Sequence, residues 1–103
     1  MGKPRITAQV IKVLAVLMSN RNAQTSGSDV GRAAGIRSGT LYPILLRLEE
    51  AGWVQSEWEE GNPREMGRPR RRFYRITGTG AKAAREELKE IASVVGRPLW
   101  NAS

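Results

Sequence analysis

The chain has no cysteine and no histidine among its 103 residues. Without thiols there is no disulfide framework, no zinc finger and no Cys nucleophile, and without imidazole there is no His general base. The longest apolar run, Val13 to Met18, falls far short of the roughly 20 residues that a membrane-spanning helix needs. Nothing at the N-terminus has a secretory cleavage site, and Ile6 stands where a myristoylation motif requires Ser or Thr. Paired carboxylates occur only as sequence neighbours (Glu49-Glu50, Glu59-Glu60, Glu86-Glu87), which point apart instead of sharing a substrate. The segment Gly78-Thr79-Gly80-Ala81-Lys82 lacks the spacing of a phosphate-binding loop. These absences predict a cytoplasmic protein that is not an enzyme and carries no metal or cofactor.

What is present is positive charge, and it is local. The formal net charge is +7, which implies an acidic partner such as nucleic acid or a membrane surface. From Arg64 to Arg75 there are six arginines against one acid, Glu65. The last helical stretch, in contrast, is nearly balanced, with Lys82–Glu86 and Glu86–Lys89 spaced as mutually supporting pairs. A chain this short makes one domain with a modest core.

Taken in order, Met1 to Arg5 reads as a flexible basic tail, a solvated terminus more than a phosphate-contacting arm. Thr7 caps a helix to about Met18, whose core stripe is Val10, Val13, Leu14 and Leu17. Ile11 and Val16 lie off that stripe and imply a second buried contact. Asn20 to Thr25 is turn-like. Ser26, with Asp29 in the capping-box position, opens a short helix that ends at Ala34 before Gly35. The connection Gly35-Ile36-Arg37 has helix-turn-helix length.

A third helix starts at Ser38 or Thr40 and runs to Ala51, with Gly52 as its stop and Leu41, Ile44, Leu45 and Leu48 as its core stripe. Helical spacing places Gly39, Pro43 and Glu50 on the opposite face, flanked by Thr40, Tyr42, Leu46 and Arg47. Pro43 favours Thr40 as the effective cap, because proline is tolerated only near a helix start. The helix N-terminus is small and polar, which suits close approach to phosphates and bases.

Trp53 to Trp58 and Arg71 to Ile76 read as an antiparallel pair, a two-stranded wing. Between them Glu59 to Arg70, rich in Gly, Pro and Asn, reads as an irregular and functional loop. Thr77 caps a last helix over about 78–95 with the stripe Ala84, Leu88, Ile91 and Val95. Trp53 reads as core, and Trp58 and Trp100 as core or interface residues more than ligand platforms. The surplus apolar residues Ile11, Val16, Leu88, Ile91 and Val95 point to a homodimer built from the first and last helices. The fold class is therefore mainly α with a small β-wing, a winged helix-turn-helix. Its predicted divisions are a tail (1–5), a DNA-binding domain (6–77), a dimerisation helix (78–95) and a second tail (96–103).

The motif Gly39-Thr40-Leu41-Tyr42-Pro43, followed by Leu45, Arg47-Leu48-Glu49 and Gly52, and later by Arg72-Phe73-Tyr74-Arg75-Ile76-Thr77 and Gly80, closely resembles the PadR family of bacterial winged-helix repressors over roughly Ile6 to Leu88. The resemblance implies a third helix in the major groove, with Ser38, Gly39, Thr40, Tyr42 and Pro43 at the groove and Arg47 on the same face. It also implies a wing, Arg68 with Arg70, Arg71 and Arg72, on the minor groove or backbone. The wing loop is longer and more basic than the family pattern, and the C-terminal part is a single helix, as in the short members. Some short members bind flat ligands on interface aromatics, so a small aromatic effector is an admissible partner that no specific motif marks. The expected function is a homodimeric, sequence-specific repressor on double-stranded DNA. Its rivals are a recombination or phage-type accessory DNA-binding protein and a winged helix used for protein or RNA docking.

Overall fold

The computed structural model describes residues 3–95, with side chains through residue 93. Five helices and three strands follow in the order α1 (Ala8–Ser19), β1 (Thr25–Ser26), α2 (Gly27–Ala34), α3 (Ser38–Glu50), β2 (Val54–Trp58), α4 (Pro63–Met66), β3 (Arg72–Ile76) and α5 (Gly78–Val95).

Side-chain caps set most of the helix starts. Thr7 accepts from the Val10 amide to start α1, and Ser26 accepts from the Asp29 amide to start α2. The Asp29 carboxylate does not return to Ser26; it bonds Arg32 one turn on. Gly35 closes α2 at φ 69°, a left-handed conformation that glycine adopts without steric cost.

All four residues of the α1 stripe and all four of the α3 stripe are buried, and they share one core with Val30, Trp53, Val54, Tyr74, Ile76, Ala81 and Ala84. The sheet order is β1-β3-β2, antiparallel throughout. The wing hairpin is two-stranded, as the sequence indicates, with Val54 opposite Ile76 at its base and Trp58 opposite Arg72 at its tip. The third strand, β1, falls where a turn was expected: Thr25 pairs with Tyr74 and Ser26 with Phe73. Two residues are too few to show alternation, and the partner strand lies far along the chain.

Two further expectations are corrected. The loop between the wing strands is not wholly irregular, because Asn62 caps a single helical turn, α4, with Pro63 first and Gly67 last. Leu88 is fully buried in the chain's own core and has no surface to offer a second copy. Val16 also packs on the core from its flank. Ile11 and Ile91 stay partly exposed on α1 and α5, which pack against each other. The Val95 side chain, Trp100 and the 96–103 tail lie outside the described residues. At the N-terminus, Lys3 is ion-paired with Glu87 on α5 and Ile6 packs against the core, so this segment lies on the helical body.

The backbone is tightly packed where α5 begins. The Thr77 hydroxyl donates to the Gly52 carbonyl (2.7 Å) and accepts from the Gly80 amide (2.9 Å), while the Thr77 amide donates to the Trp53 carbonyl (2.9 Å). A Cβ on Gly80 would stand 2.0 Å from the Trp53 carbonyl oxygen. Gly80→Ala should therefore destabilise the protein by more than about 2 kcal/mol, against the usual helix preference for alanine. Urea unfolding of this variant beside Gly39→Ala, where a Cβ meets nothing within 4 Å, checks the difference.

Candidate nucleic-acid interface

The exposed side of α3 begins without a side-chain cap. Arg37 occupies the cap position and only its carbonyl is used, accepting from the Thr40 and Leu41 amides. Thr40 is thus not the cap that Pro43 suggested; it is the third helical residue, and Pro43 is the sixth. Proline at that position removes the amide that would have bonded the Gly39 carbonyl, and the exposed face leaves that oxygen to solvent. Ser38, Gly39, Thr40, Tyr42, Pro43 and Arg47 are all exposed, and Pro43 and Arg47 lie one turn apart on the same face. The Ser38 and Gly39 amides head the uncapped turn, the arrangement that favours an anion at a helix start.

Tyr42 is 42% exposed and its ring lies on the first turn of α2. A Cβ on Gly27 would come within 2.6 Å of the Tyr42 hydroxyl, so glycine at that position is what lets the ring lie flat. Opposite stands the wing. The sheet face that buries Val54, Tyr74 and Ile76 at its base carries Trp58 and Arg72 at its tip. An open groove of about 460 Å³ runs between them, lined by Ser26, Gly27 and Ser28 of β1 and α2, Tyr42 of α3, and Trp58, Pro69, Arg70, Arg71, Arg72 and Tyr74 of the wing. Burial pushes the Tyr74 phenol above its ordinary pKa, with the Arg72 charge opposing.

The four wing arginines named from the sequence separate into two kinds. Arg68 is held by a two-bond pairing with Glu59, Nη1 to Oε1 at 2.6 Å and Nη2 to Oε2 at 2.9 Å. It is therefore a structural residue of the loop and not a free cation. Arg72 stacks over Trp58, 4.9 Å from the ring centroid, and reaches toward Glu49 at 3.9 Å. Arg70 and Arg71 are exposed beside the groove, and among the described residues no ion pair holds either side chain.

Of the two expectations for Trp58, core or interface, the structure excludes the first. Trp58 is 57% exposed, neither core nor covered, and it forms one wall of the groove. Its signal was available: alternation from Val54 puts Trp58 on the same face as Tyr74 and Arg72 once the hairpin register is known.

A three-helix core with an exposed, uncapped second helix of a helix-turn-helix, set beside a basic β-wing, defines a winged-helix DNA-binding regulator. Residues 28–86 match the family model described as the transcriptional regulator PadR-like family, and the chain belongs to that family. Among solved structures, it is similar to a PadR family transcriptional regulator from Eggerthella lenta DSM 2243, with 29% identity, a TM-score of 0.65, and coverage of 82% of this chain and 74% of that one. It is also similar to smu.1704 from Streptococcus mutans UA159, with 29% identity, a TM-score of 0.67, and coverage of 92% and 87%. The PcaV transcriptional regulator from Streptomyces coelicolor, solved with its natural ligand, superposes with a TM-score of 0.74 over 92% of this chain and 62% of that one. At 21% identity that likeness is one of fold. No curated protein matches the chain in sequence. The family is one of transcriptional regulators, which leaves no place for the enzyme reading. Among the described residues no helix is long and apolar enough to cross a membrane.

The Arg68 guanidinium holds the Glu59 carboxyl at about 2, well below its ordinary 4.5, and the Arg71 amide bond adds to the effect. A lowered folded value means that the tether contributes fully above about pH 4.5 and is lost as pH falls through about 2. The Arg71 amide, which donates to Glu59 Oε1 at 3.2 Å, should report this in an NMR titration with a midpoint near pH 2. A midpoint near 4.5 would show that the pairing does not form in solution.

Proposed function

We propose that this chain acts as a homodimeric repressor, cytoplasmic in location, that reads duplex DNA with α3 in the major groove and rests its wing on the flanking backbone. The observation that carries the reading is the groove that Tyr42 of α3 shares with the wing, with Arg70 and Arg71 exposed beside it, together with an α3 start that has no side-chain cap. Phosphates suit the exposed arginines and the uncapped helix start alike. Thr40 and Tyr42, exposed polar side chains early in α3, supply base readout in this arrangement, and Gly39 gives the backbone close approach.

The dimer reading rests on α1 and α5. Leu88 is committed to the chain's own core, so the proposed contact keeps Ile11, Val16 and Ile91, which stay partly exposed on these neighbouring helices, with Val95 beyond them on α5. A two-fold pair would place two α3 helices about 34 Å apart, one turn of DNA, and demand an inverted-repeat operator. Sedimentation should give a dimer at micromolar concentration, and duplexes selected from genomic fragments should footprint as inverted repeats. A monomer that protects a single half-site would refute the arrangement.

Within one duplex, Thr40→Ala should weaken the selected operator more than random DNA, because base contacts specify while phosphate contacts only position. Arg70→Ala with Arg71→Ala should weaken both equally and flatten the log–log salt dependence by about 1.8, at roughly 0.9 per phosphate lost. An unchanged slope removes the wing from the interface.

A further inference from the structure

A carboxylate at the root of a loop built to touch DNA opposes the approach of a polyanion, so its presence there calls for a compensating role. Glu59 follows directly on β2, and its amide and both carboxylate oxygens bond within the wing. Its amide donates to the Arg71 carbonyl at 2.7 Å, Oε1 accepts from both Arg68 Nη1 and the Arg71 amide, and Oε2 accepts from Arg68 Nη2.

Other ties in the loop are local. Asn62 caps α4, the Gly67 amide returns to the Pro63 carbonyl, and the Met66 thioether lies against Gly61. They shape one helical turn without anchoring it. The Glu59–Arg68 clasp alone among these side-chain bonds joins the far end of α4, just past Gly67, to the end of β2. From Arg68 the chain passes Pro69, whose φ is fixed by its ring, and reaches Arg70 and Arg71 already committed in direction.

We propose that Glu59 is the positioning residue of the wing: by clasping Arg68 and the Arg71 amide it holds residues 59–71 in one conformation and so presents Arg70 and Arg71 to the DNA backbone. This rests on the wing–DNA contact proposed above. Arg68 is spent on the clasp, and its role is to orient its neighbours. Preorganisation of this kind lowers the entropy lost when long side chains are immobilised on binding, and it leaves the number of phosphate contacts as it was.

The test is the double variant Glu59→Gln with Arg68→Gln, which keeps the net charge and removes the clasp. Binding is read by fluorescence anisotropy on a labelled duplex of random sequence across a range of salt, beside the wild type and the Arg70→Ala, Arg71→Ala variant. The expected result is an affinity about tenfold lower at every salt concentration with the slope retained, and faster tryptic cleavage after Arg64, Arg70 and Arg71. Arg68→Lys, which keeps the charge but loses the two-bond fork, should fall between wild type and double variant. Thermal unfolding should stay cooperative and shift by no more than a few degrees, because the clasp is an exposed pair outside the core. If the double variant binds like wild type while Arg70→Ala, Arg71→Ala binds more weakly, the clasp is overturned and the wing contact stands. If Arg70→Ala, Arg71→Ala also binds like wild type, the wing contact falls and the clasp with it.

Discussion

The junction at Thr77 is the constraint on which the rest of the molecule depends. One hydroxyl joins Gly52, two residues past α3, to the first turn of α5, and one amide bonds the Trp53 carbonyl at the base of the hairpin. Helix α3, the wing and α5 thus meet within a few residues, and a glycine at position 80 is what lets them meet so closely. Register follows from it. With Val54 set opposite Ile76, every later pair is determined, and a slip of one residue would put Trp58 on the opposite face from Arg72 and Tyr74.

Charge in this protein is organised more finely than a total of +7 suggests. Acids on the structured elements occupy some of the arginines and leave others exposed. Glu59 takes Arg68, and Glu49, which also accepts from the Ser56 hydroxyl at 2.6 Å, lies near Arg72. The Trp58 ring gives Arg72 a second support. A loop with four equivalent flexible cations would bind any polyanion loosely; a loop with two held and two presented has a direction.

Helix ends carry a similar division of labour. Thr7, Ser26, Asn62 and Thr77 each satisfy an amide at the start of a helix. The α3 start has no such side chain, and its first residues, Ser38, Gly39 and Thr40, are small and exposed. An unsatisfied helix start is tolerable in water, and it is where an anion gains most.

The sequence by itself determined the helical stripes, the turn between α2 and α3, the two wing strands, and the family, because these rest on local periodicity, capping residues and a contiguous motif. Tertiary structure alone decided the rest. Strand β1 exists only because β3 offers it an edge, and Leu88 is core and not interface because α5 lies against the body of the fold. The separation of Arg68 and Arg72 from Arg70 and Arg71 depends on where Glu59 and Trp58 come to rest. Spacing along a chain reports which residues share a face; it does not report which partner, many residues distant, that face will meet, and that meeting decides whether a charge or an apolar side chain is used within the fold or left for another molecule.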